Sequence, residues 1–595
     1  MKVTFLPSNT VVEVEEGTTI MKALRQADIK IDAPCGGNGT CKKCKVKLIT
    51  QEGEHTVLAC QTELVRDAVV DVSRKDEGHR ILMGGISRDV KLDPAVKAVT
   101  VNVPKPSTSD LRSSWDRLRD TVAKLTKKDP KLIKPNISLI SKLYCTLEEH
   151  NYKVDAVICE DEILDVVPVG SPVLGLAYDI GTTTIACYFI DLRSGTQLAQ
   201  ASLLNPQTTY GGDVIMRIKY SVENGVEGPT GDVRKALNSL ALKCAEEAKK
   251  SMDSIYMVTV VGNTCMHHLF MGISPASLAY SPYTAAMTDP VQVNAVDYGF
   301  TINKSAKIYM LSNIAGFVGA DTVGASLSAA MDEAEKLTLL IDIGTNGEMV
   351  LGTKHRRIAC STAAGPAFEG ALITYGMRGA EGAIDHVSLK NGKLEYSVIG
   401  DLKPMGICGS GIIDLLSELV RVGLVESGGK LLMGDEITDP EGIKYRDLVQ
   451  VVNGIRAFVI ADETVSGSGE KIVFTQKDVR EVQLAKGAMA AGMRMLAKKL
   501  EVNIDDVEVI MIAGAFGNYM SPKSACGIGL IPPKLESKVI GIGNAAGQGA
   551  KLCLLSLSEY KRAEEIGRAN EYLELAAEPE FQDVFVDQLE FPSDY

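Results

Sequence analysis

The 595-residue chain has one tryptophan, and aromatic residues make up only 5% of it. It also lacks a basic surplus, with 63 lysines and arginines against 76 aspartates and glutamates. Nucleic-acid binding needs stacking platforms and a cationic face, so the composition argues against it. No apolar run approaches the roughly 18 residues of a membrane-spanning helix. The chain opens Met1-Lys2-Val3-Thr4 without an apolar leader, so neither secretion nor a membrane anchor is expected. Nine of the thirteen cysteines (145, 159, 187, 244, 265, 360, 408, 526 and 553) show no ligand spacing and read as buried free thiols. Unpaired thiols in that number point to a reducing cytoplasm.

The other four cysteines are concentrated near the start. Cys35, Cys41, Cys44 and Cys60 read Cys-x5-Cys-x2-Cys-x15-Cys, three of them within Cys-Gly-Gly-Asn-Gly-Thr-Cys-Lys-Lys-Cys. Three thiolates on a glycine-rich loop with a fourth from a later segment suit a 2Fe–2S cluster. A four-cysteine zinc site is the rival, although such sites usually pair two Cys-x2–4-Cys knuckles and Cys60 stands alone. Lys2–Phe5 and Val12–Glu15 alternate like strands around a Pro7-Ser8-Asn9 turn. Ile20, Ala23, Leu24 and Ala27 mark one face of a helix capped by Thr18 or Thr19. This order of two strands, a helix and a cysteine loop resembles the β-grasp of ferredoxins, in the variants with one residue more than plant-type spacing.

Past residue 90 the prolines at 94, 104 and 106 flank Val-Thr-Val-Asn-Val and suggest an extended linker, followed by a charged helix over 109–127. Residues 130–170 look like a small α/β module without evident chemistry. Beyond 171 a motif occurs twice. Leu176-Ala-Tyr-Asp179-Ile-Gly181-Thr182-Thr183-Thr184 is echoed by Leu339-Leu-Ile-Asp342-Ile-Gly344-Thr345-Asn346-Gly347-Glu348. In each copy a buried strand delivers an aspartate and then a Gly-Thr turn into a second strand. Such an aspartate suits Mg²⁺, and such a turn lets backbone N–H and hydroxyl groups approach phosphate. Either copy alone is weak evidence, since any hairpin tolerates Gly and Thr; two with matching flanks are strong.

The doubled Asp-x-Gly-Thr pattern resembles the phosphate motifs of the acetate and sugar kinase, chaperone and actin superfamily. That resemblance implies ATP clamped between two ribonuclease-H-like halves. Ile512-Ala-Gly514-Ala-Phe-Gly517 is similar to its adenosine motif, which would place Gly514 and Gly517 near the nucleotide. Helices joining the halves are expected after Gly262-Asn263-Thr264 and over Val479–Leu500.

A ferredoxin and such an ATPase in one chain resemble the reductive activators of corrinoid proteins, along nearly the whole length. The supporting blocks include Asn205-Pro206-Gln207, Tyr210-Gly-Gly-Asp213, Val261-Gly-Asn-Thr-Cys-Met-His-His268, Ile314-Ala-Gly-Phe-Val-Gly-Ala-Asp321, Cys360-Ser-Thr-Ala-Ala-Gly365 and Gly406-Ile-Cys-Gly-Ser-Gly411. The resemblance implies a multidomain α+β and α/β protein: a 2Fe–2S domain over 1–90, a linker over 91–128, a middle module over 129–172 and an ATPase body over 173–595. The halves of that body fall at about 173–335 and 336–595.

The implied activity is ATP-dependent one-electron reduction of Co(II) to Co(I) on a corrinoid protein, with 2Fe–2S, ATP and Mg²⁺ as cofactors, a low-potential electron donor and a homodimeric state. Without a cysteine-rich end after Phe591, the chain resembles the branch with a single cluster. Glu348 is the candidate to assist water attack, with Glu369 second, and Ser361 the candidate to present a hydroxyl to cobalt. An ATP-binding redox sensor without reductase activity is the alternative.

Overall fold

The computed structural model describes residues 1–27, 29, 31, 39, 44–50, 53–72, 88, 90–400, 402–514, 517 and 519–593. The first unit comprises β1 (Lys2–Leu6), β2 (Thr10–Glu13), α1 (Ile20–Gln26), β3 (Lys45–Thr50), β4 (Gly53–Leu58) and β5 (Ala68–Asp71). Its sheet order is β2-β1-β5-β3-β4, with β1 and β5 parallel. β2 starts two residues before the alternation at Val12–Glu15 suggests, because Asn9 takes a left-handed turn and Thr10 already pairs with Phe5. Thr19 caps α1 by accepting from Lys22 N. Ile20, Ala23 and Leu24 are buried in one core with Val3, Phe5 and Val70, so one helix covers one face of the sheet.

The second unit holds β6 (Val96–Asn102), α2 (Ser114–Thr126), β7 (Lys134–Pro135), α3 (Ile137–Glu149), β8 (Lys153–Cys159) and β9 (Glu162–Pro168). The stretch expected as a linker is the edge strand of this sheet, because β6 pairs antiparallel with β8 along its whole length. Pro94, Pro104 and Pro106 all fall outside the ladder, where a missing N–H costs nothing. Leu118 and Val122 of α2 and Leu139 and Leu143 of α3 cover the sheet.

The body repeats one topology. β10 (Leu174–Ile180), β11 (Thr184–Asp191) and β12 (Gln197–Leu204) form a meander; α4 (Val214–Asn224) and α5 (Glu227–Glu247) follow. β13 (Ile255–Gly262) lies parallel to β10, then come α6 (Thr264–Met271), β14 (Val291–Asn294), β15 (Lys307–Met310) and α7 (Ala320–Ser328). In the second half β16 (Thr338–Ile343), β17 (Gly347–Gly352) and β18 (Arg357–Thr362) form the equivalent meander. An insertion carries β19 (Ala383–Lys390), β20 (Lys393–Val398), β21 (Gly406–Ile407), α8 (Gly409–Arg421), α9 (Pro440–Ile443), β22 (Val449–Val452), β23 (Ile455–Ala461) and β24 (Ile472–Thr475). The long α10 (Gln476–Leu500), β25 (Val509–Ala513), α11 (Pro522–Gly527), β26 (Val539–Gly543), α12 (Ala545–Leu555), α13 (Leu557–Ala569), β27 (Asn570–Tyr572) and α14 (Phe581–Asp587) complete the chain.

Among the described residues the two large sheets run β12-β11-β10-β13-β15-β14 and β26-β25-β16-β17-β18-β27. Both therefore consist of a meander whose first strand has a parallel neighbour, the duplicated ribonuclease-H-like plan. β10 and β16 are apolar on both faces because they are central strands covered on both sides. The halves interlock: α12 follows the second sheet yet lies on the first, where Thr259 Oγ1 donates to Ala550 O. It crosses α7 so closely that a Cβ on Gly549 would stand 2.1 Å from Gly324 O.

Candidate functional site

The two Gly-Thr turns face each other across a cleft of about 460 Å³. Thr183 Oγ1 and Thr345 Oγ1 are 3.2 Å apart, although 162 residues separate them in the chain. The Glu369 carboxylate accepts from both hydroxyls, at 2.9 Å from Thr183 and 3.2 Å from Thr345. Behind the first turn, Asn205 Nδ2 donates to Gly181 O at 2.8 Å, and the wholly buried Arg217 donates to Thr182 O. Asn263 Nδ2 donates to Thr182 Oγ1 at 2.9 Å, and Asn544 Nδ2 donates to Asp179 Oδ2 at 2.9 Å. The first turn is thus held through its carbonyls and a hydroxyl, and the second is closed by Gly344 N donating to Asn346 O at 2.9 Å.

The cleft floor is acidic. Asp179 and Asp342 end the central strands of the two sheets, and Asp342 sits opposite Glu348 across the β16–β17 hairpin. The equivalent partner of Asp179 is Ala186, so the second carboxylate belongs to one half alone. Burial pushes Asp179 and Asp342 up to about 7 and Asp321 to about 6; neighbouring carboxylates add to the first two. Glu348 is raised well above the usual range, by burial first and then by Asp321 and Asp342.

Unfolded aspartates lose their proton near 4. Between about pH 4 and pH 6 the unfolded chain releases a proton that folded Asp321 retains, so ligand-free stability falls across that window. Asp321→Asn is expected to stabilise the protein by up to about 3 kcal/mol near pH 7.5 and about half that near pH 5. Calorimetric unfolding at the two pH values checks this, and an equal gain at both would place the effect elsewhere.

Comparison with known proteins fits this architecture. Residues 336–595 match the family described as the C-terminal domain of RACo, the ASKHA domain, and residues 174–334 match the RACo middle region. Residues 85–170 match the RACo linker region, and residues 3–65 match the 2Fe–2S iron–sulfur cluster binding domain. The corrinoid activation enzyme RamQ of Eubacterium limosum is 36% identical over 597 residues, covering 98% of each chain. The chain belongs to the RACo family. A solved structure titled reductive activator for corrinoid, iron–sulfur protein is 32% identical, with a TM-score of 0.78 over 99% of this chain and 98% of that one. The Co(II) methylated amine-specific corrinoid protein reductase of Methanosarcina barkeri is 23% identical over 458 residues, 70% of this chain and 77% of that protein.

Ten of the residues singled out by sequence meet in the cleft and two do not. Asp179, Gly181, Thr182, Thr183, Asp342, Gly344, Thr345, Asn346, Glu348 and Gly514 all line the cleft. Gly514 has φ +90°, and a Cβ there would stand 2.8 Å from Ile343 O and 3.0 Å from Asp342 Oδ1. Gly517 and Ser361 do not line it. Gly517 lies past β25 and packs back against it, where a Cβ would meet Ile512 O at 2.5 Å. Ser361 Oγ instead donates to Glu348 Oε1 at 3.1 Å from the neighbouring strand.

Sequence reading passed over Asn544, which caps α12, and gave Asp321 no role. Neither sits in a turn of the repeat, and only the docking of α7 and α12 brings them to the cleft. His267 and His268 are both buried in α6; His268 is fixed between Thr264 O and Ala286 N.

The N-terminal RACo ferredoxin site is described in half. Cys35 and Cys41 lie outside the described residues. Cys44 is fully buried before β3 and Cys60 is nearly so after β4, with Ala59 N donating to Cys44 O at 2.8 Å. Gln61 Nε2 donates to Cys60 Sγ at 3.6 Å. A side-chain N–H directed at a cysteine sulfur suits a thiolate ligand, so the described donors fit the 2Fe–2S cluster of the matched domain. No helix among the described residues is long and apolar enough to cross a membrane.

Proposed function

We infer that this protein is an ATP-dependent reductase that returns a corrinoid protein from Co(II) to Co(I). The observation that carries the reading is one chain in which a 2Fe–2S domain precedes two facing phosphate turns, with full-length similarity to a corrinoid activation enzyme. When bound, the 2Fe–2S cluster supplies single electrons; Cys35, Cys41, Cys44 and Cys60 are its ligands. Co(I) forms at very low potential. A gap of ~200 mV below a plant-type ferredoxin corresponds to about 5 kcal/mol for one electron, and nucleotide bound unequally to two states can supply that amount.

The turns at Gly181–Thr183 and Gly344–Asn346 hold the phosphates, and Gly514 admits the nucleoside. Asp179 and Asp342 hold the Mg²⁺ that travels with ATP. Among the described residues no set of three His, Cys, Asp or Glu side chains could hold a metal ion, so Asp179 and Asp342 would hold it only together with the nucleotide. Glu348, buried on the cleft floor with its carboxyl raised well above the usual range by burial and then by Asp321 and Asp342, would orient the attacking water. Ser361 acts on Glu348 in this scheme; its donated hydrogen bond favours the charged carboxylate. A low-potential donor reloads the cluster, the protein works as a homodimer, and the reducing cytoplasm suits its thiols.

The test is the visible spectrum of a cob(II)alamin-loaded corrinoid protein mixed with this protein and a strong reductant, with and without Mg-ATP. A Co(I) band that needs ATP is expected. Its absence with several corrinoid proteins, while the 2Fe–2S spectrum is present, would move the redox-sensor reading ahead.

Glu369 accepts from the hydroxyls of both turns, where the phosphates are proposed to bind. Glu369→Gln removes a negative charge facing the incoming phosphates, an effect on the order of 1 kcal/mol or more. Nucleotide affinity is expected to rise about fivefold in a fluorescent-ATP titration; unchanged or weaker binding would contradict that placement.

A further inference from the structure

The ferredoxin domain meets the body through a side chain of α1. Arg25 Nη2 donates to Thr209 O at 2.6 Å, and the guanidinium lies 5.7 Å from the centroid of the Tyr220 ring. Tyr220 packs on Tyr210, with ring centroids 4.7 Å apart, and the Tyr210 hydroxyl donates to Asp232 Oδ2 at 2.9 Å. A carbonyl beside an aromatic face is a receptor for a guanidinium.

The seat matters because of where its backbone leads. Thr209 ends the 3-10 turn Pro206–Thr209, whose cap Asn205 holds Gly181 O. Two residues past Thr209, Gly211 gives its carbonyl to Arg217 Nε at 2.9 Å, and the same guanidinium donates to Thr182 O. Arg217 and Tyr220 stand three residues apart on α4, so they are neighbours on its surface. One short segment, residues 205–220, therefore grips two successive carbonyls of the first phosphate turn at one end. At the other it receives the ferredoxin domain.

We propose that Arg25 is the docking residue of the ferredoxin domain, and that its seat at Thr209 and Tyr220 ties docking to occupancy of the phosphate turn at Gly181–Thr183. The inference rests on the nucleotide site proposed above. Arg25 as a whole stays exposed to solvent, which makes the dock weak enough to release a domain that must reach a partner protein. Displacing Thr182 O or Gly181 O moves Arg217 and Asn205, and with them the carbonyl and ring that Arg25 touches. Because coupling between two binding events is reciprocal, the state of the dock changes nucleotide affinity by the factor by which nucleotide changes the dock.

The test uses the full-length protein with its cluster, as wild type, Arg25→Glu, Arg25→Lys and Tyr220→Ala. An intact 2Fe–2S visible spectrum controls for folding of the first domain. Small-angle X-ray scattering without nucleotide reads the dock, and titration with a fluorescent ATP analogue reads the coupling. Arg25→Glu and Tyr220→Ala are expected to enlarge the radius of gyration. Both should also shift the nucleotide Kd at least threefold in the same direction, with Arg25→Lys in between. Scattering identical to wild type in both variants would overturn the dock. Enlarged scattering with an unchanged Kd would overturn the coupling. A wild-type protein that binds no nucleotide at all would overturn the proposed site and the coupling with it, while the scattering still decides the dock.

Discussion

Asp342→Asn is expected to lower ATP-dependent Co(I) formation by at least about 10²–10³-fold, the usual cost of removing one preorganised electrostatic group from a buried site. The 2Fe–2S spectrum should stay as in wild type. Asp342 ends a central strand, is partly buried, and shares the cleft floor with Asp179, Asp321 and Glu348. Its charge is costly there, because burial and the neighbouring carboxylates push it up to about 7. Mg²⁺ held there, as proposed above, would reverse that balance by favouring the carboxylate. An amide of the same size relieves the penalty and cannot repay the ion. The variant should therefore be at least as stable as wild type and nearly inactive, a pairing that loss of folding cannot produce. Thermal unfolding and the Co(I) band measured on the same sample check both halves. Normal ATP-dependent activity would refute the role of Asp342, while low activity with lowered stability would reduce it to a structural one.

Cys44→Ser should remove the visible absorption of the cluster and all Co(I) formation, leaving nucleotide affinity within about twofold of wild type. Serine matches the shape of cysteine but provides no thiolate at neutral pH, and iron–sulfur ligation depends on the thiolate. The N-terminal domain has its own core around Phe5, Leu24 and Val70, separate from the clusters that build the ATPase halves. Loss of the metal site therefore leaves the cleft standing. An unchanged spectrum would refute Cys44 as a ligand. Loss of nucleotide binding together with the cluster would show the two domains to be far more tightly joined than the Arg25 contact alone allows.

What was legible before folding lies in contiguous residues. The cysteine spacing, the two Asp-x-Gly-Thr turns and the alternation of β1 are each short stretches, and turn geometry and ligand reach depend on neighbours in the chain. The duplication was legible for the same reason, since each copy carries its own strand, aspartate and turn. Tertiary structure alone decided which copies meet. Thr183 touches Thr345 across 162 residues, and Asn544 reaches Asp179 across 365. These contacts exist because α12 crosses onto the other half's sheet at a glycine contact with α7, which no local pattern encodes. The same holds for β6, whose flanking prolines suggest a linker until β8 pairs with it. Arg25 reads as an ordinary solvated residue of a short helix until Thr209 and Tyr220 are brought beside it. Local sequence sets what a residue can do, and packing between distant segments sets what it does it to.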